Sequence, residues 1–296
     1  MTLTAVRARQ PGASESAIAR LMEGRAVAVP VNKPEITKPQ QLFLPGLDEL
    51  RRAMPNHIAR SSLFAPVARG AKTIHRESIL VTRKDALLKY WGEQLDEAQA
   101  DVWMQLIYEI LSRPLGEAVP ICRAQFLRAI GRQTGNYEYA WLHRTMKALC
   151  FAMLVIEVTS DGKPKMHVGS SGALHMLDGF DYDEIRKTYT VRIDPRWRYL
   201  YANREFAFID WETRLRIRQG QDMAKTLQRL VATSDELVQR YRLDWLKEKM
   251  QYRSPMRKFK ISLTAAMAEL ERVEVIAAGR IELNTKGFEQ ATWIRI

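Results

Sequence analysis

The chain has 296 residues, 46% of them hydrophobic and 27% charged, with seven Trp and ten Tyr. That is enough apolar material for packed cores, and at this length two cores are the starting expectation. Lys and Arg number 46 against 34 Asp and Glu, a formal net charge of +12, which calls for a polyanionic partner: nucleic acid first, an anionic membrane surface second. Cys122 and Cys150 lie in apolar helical patterns without CxxC spacing, so neither a disulfide framework nor a zinc site is indicated and a reducing bacterial cytoplasm fits. The longest apolar stretch, Ala148 to Val158, is too short to span a bilayer, and Arg7, Arg9, Arg20 and Arg25 occupy the place of a signal-peptide core; no membrane is expected.

Residues 1–46 hold Pro11, Pro30, Pro34, Pro39 and Pro45 and only a brief helical pattern around Ser16 to Glu23, and read as a flexible N-terminal tail and linker. Order is expected from Leu47, with a short β-type run at Ile79 to Val81. Asp96 is a candidate N-cap for a helix to Leu111, because Val102, Trp103, Leu106, Ile107, Ile110 and Leu111 recur at i, i+3 and i+4. Pro114 and Gly116 end it. A strand at Ala118 to Cys122, a helix from Arg123 to Gly131, a break at Thr134 and Gly135, and a helix from Asn136 to Phe151 follow. Strands at Ala152 to Thr159 and Lys165 to Gly169, with a turn at Ser160 to Pro164, place a β-hairpin behind the second helix. A helix-turn-helix followed by a hairpin is the winged-helix arrangement, here expected over 47–201.

The order recurs in 202–296: a strand at Phe206 to Trp211, helices near Gln221 to Ala232, Leu243 to Met250 and Ser254 to Arg272, then strands at Val273 to Ala277 and Ile281 to Leu283 with Thr292 to Ile296 around a turn at Ala278 to Arg280. The expected class is therefore α+β and helix-rich, two tandem winged-helix domains behind the tail.

The helix from Ser254 carries the clearest signals. Ser254 is a good N-cap, and Pro255 suits the first helical position. Met256, Phe259, Leu263, Ala266, Met267 and Leu270 fall on one side of the wheel; Ser254, Arg257, Lys258, Ile261 and Ala265 fall on the other. Arg253, Arg257, Lys258 and Lys260 gather at its N-terminal end, the end that a recognition helix points into the major groove. Basic residues there oppose the helix dipole by roughly 0.3 to 1 kcal/mol each, which phosphate or guanine contacts outweigh; a solvated basic face is the bland alternative. The helix from Asn136 divides similarly, with Tyr137, Ala140, Trp141, Arg144 and Ala148 opposite its apolar side and Lys147 beside them. Trp141 suits either DNA contact or packing on neighbouring protein. Lys163 and Lys165 in the first hairpin, and Arg280 and Lys286 in the second, suit phosphate contacts by the wings.

Catalytic patterns are missing. The one Gly-Lys pair, Gly162 and Lys163, precedes Pro164 rather than forming a phosphate loop. His57, His75, His143, His167 and His175 lack the close pairing a metal-dependent nicking site needs, His167 and His175 read as surface or loop residues, and Asp181 to Glu184 reads as a solvated loop. No enzyme activity, metal or cofactor is expected.

The run RAMPNHIARSSLF, Arg52 to Phe64, resembles the start of the conserved region of the TrfA family of plasmid replication initiators. Further similar features are Gly135, Asn136, Tyr137 and Tyr139, the segment from Arg186 through Ile193 and Asp194 to Leu200, Tyr201 and Ala202, and Trp211. The resemblance implies a protein that binds direct repeats, called iterons, in double-stranded plasmid origin DNA as a monomer and opens the origin. It implies work with the host's DnaA, DnaB helicase and sliding clamp, and a homodimer as the inactive form that limits copy number. TrfA-type proteins carry a clamp-binding peptide, Gln-Leu-x-Leu-Phe; Gln41, Leu42, Phe43 and Leu44 match its first four positions and Pro45 replaces the last, while the alternative is a linker hydrophobe packed on the first domain. Beside the initiator stands a dimeric winged-helix transcriptional repressor with the same elements. Two unlike tandem domains favour the initiator, since they read one asymmetric repeat, whereas a repressor reads a palindrome with two copies of one domain.

Overall fold

The apolar spacings of the sequence become strands and helices in a computed structural model that describes residues 48–67, 72–84, 86–111, 113–160, 163–168, 173–201 and 205–296. In chain order these are β1 (Arg51–Pro55), α1 (Asn56–Arg60), β2 (Phe64–Ala65), β3 (Ile74–Leu80), β4 (Ala86–Glu93), β5 (Leu95–Asp96), α2 (Glu97–Ile110), β6 (Val119–Cys122), α3 (Arg123–Ala129), α4 (Asn136–Phe151), β7 (Met153–Ser160), β8 (Lys163–Val168), β9 (Leu174–His175), β10 (Gly179–Asp183), β11 (Thr188–Arg192) and α5 (Trp197–Tyr201). The rest is β12 (Phe206–Asp210), α6 (Trp211–Arg216), α7 (Asp222–Val231), β13 (Val238–Arg242), α8 (Leu243–Lys249), α9 (Met256–Arg272), β14 (Ile276–Leu283) and β15 (Glu289–Arg295). The fold is α+β. Among the described residues no helix is long and apolar enough to cross a membrane.

Asp96 caps α2 as expected. Its carboxylate accepts from the Gln99 amide at 2.9 Å while the Gln99 side chain accepts from the Asp96 amide at 2.9 Å, so two of the orphan donors at the helix start are satisfied reciprocally. Val102, Trp103, Leu106 and Ile107 are fully buried, and the Trp103 ring lies 4.6 Å from that of Trp197, making α2 the centre of the first core. A second cluster of buried side chains gathers Ala224, Leu227, Leu243, Leu246, Phe259, Leu263, Met267, Leu270 and Trp293 around α7, α8 and α9.

The second half closes on itself. Its sheet runs β13-β15-β14, so the strand between α7 and α8 pairs with the returning strand of the terminal hairpin. The first half has the same sequence of helix, strand, two helices and hairpin, but β6 pairs with β11 of a further hairpin, and β7 and β8 join β3 and β4 in a separate sheet.

Several expectations are corrected. Pro255 has ψ 155°, an extended value, so Pro255 rather than Ser254 occupies the N-cap position and α9 starts at Met256. Ala278 to Arg280 is not a turn: β14 continues through a bulge between Ala277 and Arg280, with Ala278 at φ 53°, and the chain reverses at Asn284 to Phe288. Asp181 to Glu184 lies mostly in β10, an edge strand whose alternation with charged residues hides it from hydrophobicity. Val238 to Arg242, where no element was read, is an edge strand hidden in the same way. Phe206 to Asp210 is a strand that ends one residue before Trp211 and pairs antiparallel with β1. His175 is half-buried, its Nδ1 2.6 Å from the Cys150 carbonyl. Both cysteines are free thiols, and burial pushes Cys150 up to about 11.

Charged groups stitch the halves together where both cores end. Glu97, at the start of α2, is fully buried between Arg214, 2.9 Å away, and Arg229. It also accepts from the Thr226 hydroxyl at 2.7 Å. Asp101, one turn on, accepts from Arg214 at 2.5 Å and Lys225 at 2.6 Å. Burial would raise the Glu97 carboxyl, but the Arg229 and Arg214 guanidiniums overcome it and hold the group at about 2. Buried Lys249 donates to the Ser61 carbonyl at 2.8 Å; burial first, and then Arg229, lower it to about 7, against the pull of Glu97. All of these groups sit in one compact unit.

Candidate nucleic-acid interface

The geometry of α9 follows from its sequence. Phe259, Leu263, Ala266, Met267 and Leu270 are buried, each large side chain contributing roughly 1.5 to 3 kcal/mol by leaving water, which pins the opposite face outward. The Pro255 carbonyl accepts from the Lys258 and Phe259 amides at 3.0 and 3.1 Å, and no side chain caps the helix. Arg253, Arg257, Lys258, Ile261, Thr264, Ala265 and Ala268 are exposed, and Ser254 is half-buried. From Met256 to Ala268 the helix holds no acidic residue. Arg257 and Lys258 make no ion pair among the described residues, so their charge is directed to the exterior.

The other expected cations of this half are partly engaged. Lys260 leans to the hairpin and pairs with Glu289, and Arg253 donates to the Thr73 hydroxyl. Arg280 is 2.7 Å from Glu282, a carboxylate that also accepts from Thr292 and Gln290; these hydrogen bonds, with Arg280, hold it at about 2. Lys286 stands exposed in the hairpin turn, which Asn284 shapes by accepting from the Lys286 and Phe288 amides at 2.9 Å each, with Gly287 at φ 77°.

On α4, Asn136, Tyr137, Ala140, Arg144, Lys147 and Phe151 are exposed along one stripe, while Leu142, Thr145, Met146 and Leu149 are buried. Trp141 is half-buried against the first core, and the Arg132 guanidinium lies 3.7 Å over its ring. Arg132 is itself held by Glu138 at 2.7 Å. The tryptophan is thereby part of the protein's own packing as well as adjacent to the stripe. Arg132 and Phe151 escape the sequence reading, since nothing local marks an arginine four residues before the helix as a lid for Trp141. His143 faces the β10–β11 hairpin, its ring 5.4 Å from Phe180 and 6.1 Å from Tyr189, and burial and then Lys147 lower its basicity. Lys163 and Lys165 lie on β8, at the hairpin expected to be the first wing, with Ser160 paired to Lys163; their side chains, like the Gln41, Leu42, Phe43 and Leu44 segment, fall outside the described residues.

Two exposed, cation-bearing helix faces and two hairpins thus follow the same local order in the two halves. The chain is similar in structure to a selenomethionine crystal structure of domains 2 and 3 of RctB, with a TM-score of 0.50 and 12% identity, covering 78% of this chain and 94% of that one. A second crystal structure of RctB domains 2-3 gives a TM-score of 0.48 at 10% identity, over 81% of this chain and 97% of that one. No protein-family model matches the chain, and no curated protein matches its sequence. At these identities the likeness is one of fold.

Proposed function

We propose that this protein is an origin-binding DNA replication initiator built on two winged-helix halves. The observation that carries the reading is the outward face of α9, where Arg257 and Lys258 stand among small residues, with no ion pair among the described residues, on a helix with no acid before Glu269; a groove-reading helix needs that surface, and a merely solvated helix does not. The helix, strand, two-helix, hairpin order of each half supports the winged-helix reading, and the fold likeness to domains of RctB, a replication initiator, supports the process.

In this reading α9, with Arg253, Arg257 and Lys258, enters the major groove of one part of a repeat and α4 meets the other, while Lys286 and the first hairpin's lysines hold phosphates. Two unlike halves bound to one another read one asymmetric site, so a monomer binds direct repeats in a plasmid origin. The protein acts by binding and needs no catalytic group; opening of the origin and recruitment of DnaA, DnaB and the sliding clamp, the last through Gln41 to Leu44, complete the proposal, with a homodimer as its inactive form. Footprinting on the protein's own origin region, with light scattering in parallel, tests it. Regularly spaced protection of direct repeats by monomers is the expected result; protection of one palindrome by dimers makes the protein a repressor instead.

A further inference from the structure

Ile261 is 64% exposed in the middle of the α9 face. Single exposed apolar residues are ordinary on protein surfaces, but the surroundings of this one are not. Its neighbours one turn back are Arg257 and Lys258, and one turn on are Thr264 and Ala265, with Ala268 a further turn along, all exposed. A helical side chain leans toward the N-terminus, so Ile261 projects toward these two cations. Isoleucine is a poorer helix former than alanine or lysine, and here it returns nothing to the core. The small residues after it leave no side chain to hold the helix axis away from a groove floor.

We infer that Ile261 is a specificity residue that packs against the 5-methyl group of a thymine in the major groove, with Arg257 and Lys258 gripping the adjoining phosphates or guanine. The inference rests on the DNA-binding reading above. The major groove offers one apolar base-edge feature, the thymine methyl, and a branched aliphatic side chain between cations and small residues is complementary to it. Charge complementarity decides the occupant: a second copy of this basic face would repel it, and an apolar protein groove would leave Arg257 and Lys258 unsatisfied.

The test uses full-length protein and a duplex selected by it from a random-sequence pool, in which each thymine is then replaced singly by deoxyuridine, removing only the methyl. Wild-type protein is expected to lose about fourfold in affinity at one or two thymines, the worth of burying one methyl-sized group. Ile261→Ala is expected to bind the parent duplex correspondingly more weakly and to show no further loss at those thymines, and Ile261→Leu to retain part of the sensitivity. Tight, sequence-selective binding with no methyl dependence, or equal methyl dependence in Ile261→Ala, overturns the role of Ile261 and leaves DNA binding standing. Failure to select any duplex overturns both. A change in self-association of Ile261→Ala with unchanged DNA affinity assigns the face to a second copy and overturns the inference.

Discussion

Helices α4 and α9 occupy the same place in their two halves, yet their surroundings differ. The α9 face is bare: its sheet pairs only within its own half, and its exposed residues from Met256 to Ala268 are cations, small side chains and one isoleucine. The α4 face is hemmed in, with Trp141 under Arg132, Glu138 holding Arg132, and His143 set against Phe180 and Tyr189 of an added hairpin. A helix whose flanks are already occupied can touch DNA over a narrower stripe. The contrast divides the labour of the proposed complex: α9 reads bases and α4 chiefly positions the backbone.

The joint between the halves bears the largest expected effect. Glu97→Ala leaves Arg214 and Arg229 buried without their shared carboxylate, and a loss of about 3 to 5 kcal/mol is expected in urea unfolding; a smaller loss, confined to one half, would show the halves to be independent. The same joint carries a pH dependence. Because Lys249 is depressed to about 7 in the fold, the unfolded chain binds the extra proton above that pH, and stability should rise as pH increases from 7 toward the ordinary lysine range. Lys249→Met should remove that part of the slope, and an unchanged slope would assign it to other groups.

Next come the bases. Arg257→Ala and Lys258→Ala should each weaken binding to the cognate repeat by roughly 1 to 3 kcal/mol where the residue reads a base, and more evenly across sequences where it holds phosphate. Equal affinity of both variants and wild type would remove α9 from the interface. On α4, Arg144→Ala and Lys147→Ala should each lower affinity with little change in sequence preference and reduce the salt slope of log K by about 1; a relaxed preference at particular bases would give α4 a reading role and dissolve the contrast. The smallest effect is expected from Arg132→Ala, which uncovers Trp141 and should cost about 0.5 to 1 kcal/mol of stability while leaving DNA affinity close to wild type.

The long helices were legible in the sequence because their apolar faces are deep and regular: Asn136–Phe151 has the expected bounds and Asp96 caps α2, whereas the short α1, α5 and α6 were not read. Strands with charged or two-sided patterns were not. Val238–Arg242 reads VQRYR and Gly179–Asp183 reads GFDYD, and each is a strand because a partner strand supplies its hydrogen bonds, a long-range cause that no local window contains. The basic face of α9 was visible as spacing, but the engagement of Lys260 by Glu289 depends on a hairpin turn at Asn284 to Phe288, and that of Arg280 by Glu282, two residues apart on β14, depends on the strand continuing where the sequence suggested a reversal. The RAMPN stretch shows another limit of likeness. Arg52 is buried, its guanidinium 3.9 Å from the Tyr108 ring centre and 2.8 Å from Gln105, and β1 pairs with β12, so this run is architectural.

The shared carboxylate of Glu97 also sets the terms on which the protein can be re-engineered. Exchanging the whole second half with that of a relative would bring two or three foreign side chains against Glu97 and Asp101, and any that failed to reproduce Arg214, Lys225 and Arg229 would strand charge in the interior. The transplantable part is smaller: the outward residues of α9, which touch none of these groups. If α9 reads the DNA as proposed, retargeting to a new repeat is a matter of grafting a helix face onto an intact chassis.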